Sequence, residues 1–410
     1  MIRGIRIIRH VVVVLVVILI IFKLFSNTVE SSYVDQAISS LRGNGAKSQS
    51  NESAVSDNIK TEDIKSEHGQ TQPVIVPHQR ENATFVTLCR NSDLWSMISS
   101  IRHVEDRFNS QFKYDWVFLN DDEFSDEFKK LVSARVSGTA VFGKLDPSHW
   151  SIPEWIDKDK AALAREQMQR DNVIYGGSLP YRHMCRFESG FFSQEAALAP
   201  YKYYWRVEPD IKLFCDIPYD VFKFMREKDK KYGFTISLYE YPTTIPTLWN
   251  TVKEFIAEYP QHIVKDNSMD FISDNNGDTY NLCHFWSNFE VGDLDFWRSP
   301  QYRDFFNYLD KAGGFFYERW GDAPVHSIAA ALLLRKDQLH YFDDIGYYHN
   351  PFMNCPIDED LRNERRCMCP FDLSLKQDQQ SIFSFRGYSC IPRWYDVTGN
   401  PRPKGWSDHA

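Results

Sequence analysis

Two acidic motifs in this chain have the spacing to hold a cation. The first lies in Tyr203-Tyr204-Trp205-Arg206-Val207-Glu208-Pro209-Asp210-Ile211-Lys212-Leu213. Its aromatic and β-branched residues read as a buried strand, and Pro209, which lacks an N–H, predicts that the strand stops at the acidic pair. Glu208 and Asp210 then stand at a rigid strand end, where carboxylates can bind a hard divalent cation that in turn holds nucleotide phosphates. A plain turn with two solvated acids is the competing reading. The second motif, Asn120-Asp121-Asp122, is a rival cation site, although acids between a strand and a helix also serve as helix caps.

Other residues point to the same kind of chemistry. Arg182 and Arg186 are four apart on an expected helix, so one face would carry two guanidinium groups able to clamp a diphosphate. Otherwise they are ordinary ion-pair formers. Glu290 follows the aromatic run around Trp286 and precedes Gly292, so it is expected to be semi-buried, with a partner or a chemical task. Asp322 beside Trp320 and Gly321 suits sugar hydroxyls, and equally suits the start of the helix that Pro324 opens. Glu240 closes an expected strand. His349, in the aromatic run Tyr347-Tyr348-His349-Asn350, is a plausible later ligand for a metal first gripped by Glu208.

These residues need elements to position them. Thr84–Leu88, Tyr114–Leu119 and Thr139–Gly143 read as strands, and a helix from Leu94 to about Phe108 follows the first. A further helical stretch opens at Glu123, and another helix runs from Tyr181 to about Leu198. Gly233–Tyr239 reads as one strand, with helices at Thr251–Tyr259 and Val325–Leu334. The alternation implies an α/β domain with a largely parallel sheet. Ligands of such sheets bind at the carboxyl ends of strands, where Arg90, Asp121, Asp122, Glu208 and Asp210 all fall.

The N-terminus is different material. Arg3, Arg6, Arg9 and His10 precede the apolar run Val11–Phe22. Extended by Ile7 and Ile8, this approaches the roughly 20 residues of a membrane span. The basic side predicts a cytoplasmic tail (1–6), a retained signal-anchor (7–25) and a type II topology, with a cleaved signal peptide as the alternative. Residues 26–80 are polar and read as a flexible stem, and 81–410 as the folded domain. Asn51 and Asn82 begin glycosylation sequons. All eight cysteines lie past the stem, and Cys355, Cys367, Cys369 and Cys390 crowd the C-terminal region. This favours disulfides over zinc, for which the spacing is wrong. A net charge of −9 argues against nucleic acid as a partner.

The run from Tyr181 through Glu208-Pro209-Asp210, with Ser287-Asn288-Phe289-Glu290, Arg319-Trp320-Gly321-Asp322-Ala323-Pro324-Val325-His326 and Tyr347-Tyr348-His349-Asn350, resembles the fungal Golgi α-1,2-mannosyltransferases of glycosyltransferase family 15. The resemblance covers the chain from about Thr84 onward. It implies a single mixed-sheet nucleotide-sugar-binding domain of the glycosyltransferase A type. It also implies GDP-mannose as donor, Mn²⁺ as cofactor, and retaining transfer to the 2-hydroxyl of a mannose acceptor on O-linked or N-linked glycans of cell-wall mannoproteins. It places the protein in the Golgi membrane with the catalytic domain lumenal. By the same resemblance Glu208 is the direct metal ligand with Asp210 in support, and the family's late histidine ligand falls on His349. Tyr181 sits beside the anomeric carbon and the family's nucleophilic acid falls on Glu290. Arg90, Asp121, Arg182, Arg186, Glu240 and Asp322 are expected around donor and acceptor. The competing readings are a membrane-anchored mannan-binding protein without turnover, a transferase of another nucleotide sugar, and a retaining glycosidase, which also needs two carboxylates.

Overall fold

The computed structural model describes residues 80–369, 384 and 387–408. The expected tail, anchor, nearly all of the stem and the Asn51 sequon lie outside the described residues. No helix among the described residues is long and apolar enough to cross a membrane.

The strands are β1 (Ala83–Leu88), β2 (Asp115–Asn120), β3 (Ala140–Lys144), β4 (Tyr203–Val207), β5 (Lys212–Leu213), β6 (Tyr232–Phe234), β7 (Ser237–Tyr239), β8 (Cys283–Phe285), β9 (Phe289–Asp293), β10 (Leu339–Tyr341), β11 (Tyr347–His349) and β12 (Phe352–Asn354). The main sheet has the order β10-β6-β9-β4-β1-β2-β3. It is parallel except for β9, which runs antiparallel between β4 and β6. The fold is therefore mixed α/β, with the start of β9 at the same edge as the ends of β4 and β6. β5, β11 and β12 form a small antiparallel sheet, and β7 pairs with β8.

The period-2 alternation of β4 divides two cores. Trp205 and Val207 pack on one face with Phe85 and Phe289, under α1 (Leu94–Val104). Tyr204 packs on the other with Tyr232 and Trp297, under α4 (Leu179–Gly190) and α5 (Asp322–Leu333). Arg206 shares the face of Tyr204, so its charge is driven inward beneath those two helices.

Several elements differ from expectation for identifiable reasons. The helix that begins at Leu94 continues past Val104 as a π turn, Glu105–Asn109, in which buried Glu105 accepts from Asn109 and from Trp116 Nε1. The helix α2 (Asp126–Ser133) is capped by Ser125, so Asp121 and Asp122 are not its caps. The helix over Tyr181 stops at Gly190, where an added Cβ would meet the Phe306 ring at 2.0 Å. Two 3₁₀ turns, Phe192–Gln194 and Ala196–Leu198, replace its expected last turns. The single strand expected at Gly233–Tyr239 breaks into β6 and β7, which enter different sheets. α3 (Lys158–Arg170) was not anticipated, and it buries only Ala161 fully. Disulfides Cys215–Cys367, Cys283–Cys390 and Cys355–Cys369 use all four C-terminal cysteines, while Cys89 and Cys185 are buried thiols.

Candidate active site

The carboxyl edge of the sheet gathers the chemistry. β4 ends at Val207, as Pro209 requires, and Asp210 turns the chain with a left-handed φ of 61°. Asp tolerates that conformation better than most residues. Ser100 Oγ donates to the Glu208 carbonyl at 2.9 Å, which pins the turn to α1. The chain then enters β5, which pairs with β11 in the register Tyr348↔Lys212. One step further sets His349 level with Ile211, beside the acidic turn. His349 Nδ1 lies 3.0 Å from the Asn350 carbonyl, so Nδ1–H donates there and Nε2 is the nitrogen left to ligate in the neutral ring. The Trp286 ring meets the imidazole edge-on.

Behind Glu208 lies a buried network centred on Arg206. Its guanidinium donates to Glu208 Oε1 and to Asp322 Oδ2, each at 2.7 Å, and stands 3.9 Å from Glu188 Oε2. Ser287 Oγ also donates to Asp322, at 2.7 Å. Burial opposes the charge on Arg206, but the carboxylates of Glu188, Glu208, Asp322 and Glu290 outweigh it and drive its pKa further up. Burial likewise works against ionised Asp322, yet Arg206, His326 and Ser287 hold it below the usual carboxylate value. Glu188 goes the other way: burial, only partly offset by Arg206, pushes it up to about 8.

Glu290 was expected to be semi-buried, but it is 1% exposed. It sits in β9 opposite Arg206. Tyr204 Oη donates to one carboxylate oxygen at 2.9 Å, and Tyr232 Oη to the other at 3.1 Å. His326 Nδ1 adds a third contact at 2.7 Å, while its Nε2 faces the Glu188 carbonyl at 3.0 Å. Both ring nitrogens therefore meet acceptors, an arrangement that favours the protonated ring. Burial alone would lower the His326 pKa, but the Glu290 carboxylate raises it above the usual value.

Tyr181 opens α4 on the other side, with Ser178 as its cap. Its ring stacks on Tyr175 at 4.5 Å and lies 5.1 Å from the Arg319 guanidinium. Burial first, with Cys185, Asp322 and Glu240 adding to it, raises the phenol pKa well above its ordinary value, so Tyr181 is a neutral phenol. Glu240 accepts from the Tyr241 N–H at 2.7 Å and stands 3.9 Å from Arg319. Arg319 is itself buried, and its Nε has no partner among the described residues. Tyr175 is a bulky residue held at a left-handed φ of 57°. Such strain persists where surrounding structure enforces it, often at functional sites.

Glu208, Asp210, His349, Asp322, Glu240, Tyr181 and, behind them, Glu290 thus belong to one edge. Arg90 and Asp121 share a separate hollow of about 160 Å³ at the ends of β1 and β2, with Trp150 and Met184. Arg182 and Arg186 do not form the expected clamp. Arg182 is wholly buried and donates to the Glu318 and Ser178 carbonyls. Arg186 is locked bidentately on Asp310 at 2.7 and 2.8 Å. In both cases the helix face points into the core. Sequence reasoning missed Glu188, His326, Tyr175, Arg319 and the central role of Arg206. For Arg206 a signal was present: it is two residues before Glu208 on a strand, hence on the same face.

Comparison with known proteins identifies the family. Residues 36–399 match the family model described as glycolipid 2-alpha-mannosyltransferase. The chain is 60% identical over 328 residues to glycolipid 2-alpha-mannosyltransferase 1 of Candida albicans, covering 80% of this chain and 74% of that one. It is 57% identical over 330 residues to alpha-1,2 mannosyltransferase KTR1 of Saccharomyces cerevisiae, covering 80% and 82%. Among solved structures it is similar to core-mannan synthase A (CmsA/Ktr4) of Aspergillus fumigatus in its Mn/GDP form. The TM-score is 0.72 and the identity 40%, covering 78% of this chain and 86% of that one. The S. cerevisiae mannosyltransferase Ktr4p in complex with GDP also matches, with a TM-score of 0.72 at 37% identity, covering 80% and 84%.

Proposed function

Because this chain belongs to the glycolipid 2-alpha-mannosyltransferase family, we propose that it is a retaining transferase. It moves mannose from GDP-mannose to the 2-hydroxyl of a mannose-terminated acceptor on O-linked or N-linked glycans. The domain is of the glycosyltransferase A type. The observation that carries this reading is the strand end where Arg206 aims Glu208 and β11 brings His349 alongside.

A carboxylate and a tautomer-fixed imidazole suit Mn²⁺, with Asp210 in support. No cluster of three or more acidic, His or Cys side chains gathers as a metal nest among the described residues. Held by these residues, Mn²⁺ would supply positive charge against the leaving diphosphate. Arg90 and Asp121 line a hollow placed to take the nucleoside end of the donor. Glu240, Asp322 and Arg319 ring the sugar-binding side beside Tyr181.

The enclosure of Glu290 favours same-face attack over double displacement. Its oxygens accept from Tyr204, Tyr232 and His326, and Tyr181 is a neutral phenol, so neither offers a free nucleophile. In the same-face route the bond from C1 to the phosphate oxygen breaks. The acceptor O2 bonds to C1 on that face, and its proton passes to the departing phosphate oxygen. Glu290 then acts as a positioning residue that holds His326 and faces Arg206, while the acidic network stabilises the cationic sugar.

The apolar run Val11–Phe22 and three disulfides, which persist in oxidising compartments, support a single-pass type II protein of the Golgi membrane with a lumenal catalytic domain. The test uses the detergent-solubilised full chain with GDP-mannose and methyl α-mannoside, with Mn²⁺ or with chelator, and NMR assignment of the product. An α-1,2-linked dimannoside formed only with metal is expected. Transfer that survives chelation, or a product of another linkage, would contradict the proposal.

A further inference from the structure

A groove beside this site has no task in it. It has a volume of about 630 Å³, within the range of small-ligand sites, about 300–1,000 Å³. One wall is α3 and the loop after it, through Asn172 and Ile174. The other is the turn Tyr241–Thr244, and Tyr317 stands at the back.

The groove abuts the site along both walls. On the turn side, Glu240 Oε1 accepts from the Tyr241 N–H and lies 3.5 Å from Thr244 Oγ1. On the loop side, Ile174 leads into Tyr175, whose ring stacks on Tyr181. Asn172 and Val173 also line an adjoining hollow of about 450 Å³ that reaches Tyr175 and Ser178. Groove and site are therefore neighbours, joined through Tyr241 on one wall and the Ile174–Tyr175 loop on the other.

The lining specifies a class of ligand. Tyr241 and Ile174 are 59% and 52% exposed, apolar area left in water beside a reactive centre. Tyr317 is held in place, its hydroxyl accepting from the Asp157 N–H at 2.8 Å. Hydroxyl and amide groups of Thr243, Thr244 and Asn172 and the carboxylate of Asp171 stand among these surfaces, and no Lys or Arg lines the groove. An anionic ligand would find no counter-charge. A neutral polyol with one apolar ring face, which is a sugar, finds both kinds of surface.

We infer that this groove binds the second mannosyl residue of the acceptor, the one that bears the accepting mannose. This rests on the transferase reading and adds that the acceptor recognised is at least a disaccharide. The experiment compares methyl α-mannoside with the methyl glycoside of α-1,2-mannobiose as acceptors for the full chain, in wild type, Tyr241→Ala and Thr243→Trp. Wild type should favour the disaccharide in kcat/KM by about 10-fold, the worth of one good contact. Both variants should lose most of that advantage through KM, with methyl α-mannoside kinetics within about twofold of wild type.

Equal use of the two acceptors by wild type would overturn the inference and leave the transferase reading standing. A disaccharide advantage that survives in both variants would do the same. An advantage shown by a mannosylated peptide but not by mannobiose would assign the groove to peptide instead. Failure of wild type to use either acceptor would overturn the transferase reading, and this inference with it.

Discussion

β2 and β4 both end in acids at the same edge of one sheet, yet only one end is built to hold a metal. After β2, Asp121 and Asp122 are exposed, and Asp122 spends an oxygen on the Glu123 N–H. After β4, Glu208 is only 20% exposed and is aimed by a buried arginine. A left-handed turn follows, and a histidine strand pairs alongside. The carboxylates are chemically equivalent, so the difference lies in what stands behind them. A ligand that must meet a metal within a few tenths of an ångström needs an outer partner to hold its rotamer, and Arg206 supplies it.

That contrast predicts a ranking of effects. Glu208→Gln should lower kcat/KM by roughly 100-fold or more, since it removes the charge from the better-supported end; initial-rate assays at saturating Mn²⁺ check this. Arg206→Met should destabilise the protein by about 3–5 kcal/mol, because it leaves the Asp322 carboxylate buried without its cation. Denaturant unfolding measures that loss, and a change under about 1 kcal/mol would mean that the network is not held by this pair.

Glu188→Gln tests the same network through pH. With the folded pKa at about 8 and the ordinary value at 4.5, folded Glu188 keeps a proton that the unfolded chain releases. Its contribution to stability is full below the ordinary value and is lost as pH rises through about 8. Wild type should therefore lose stability across that window, and the variant should show a flatter profile of Tm against pH. Identical profiles would remove Glu188 from the network. The smallest effect should come from Asp122→Asn, within about twofold of wild type in kcat/KM, as for a solvated surface acid.

The strand ends were legible in the sequence because local rules govern them. Aromatic and β-branched runs give β1, β2 and β4, and Pro209 stops β4 where its missing N–H demands. What lay hidden was tertiary. The i, i+4 spacing of Arg182 and Arg186 is real, but α4 turns that face into the core, where the Glu318 carbonyl and the Asp310 carboxylate accept from the two guanidinium groups. The ring of His326 looked like one more residue of an apolar helix, because its partner Glu290 is 36 positions away. α3 escaped notice because it buries so little that its sequence carries almost no apolar period. The break between β6 and β7 follows from a choice between two sheets, which an unbroken apolar run does not encode.

The account turns on Glu208 and His349 as the metal-holding end of the sheet. Its most direct test is Mn²⁺ binding in the presence of GDP, followed by electron paramagnetic resonance on wild type, Glu208→Gln, His349→Ala and Asp122→Asn. The account predicts one tightly held Mn²⁺ in wild type and Asp122→Asn, and weak or no binding in the other two. Undiminished binding in both Glu208→Gln and His349→Ala, or loss of the ion in Asp122→Asn, would contradict it.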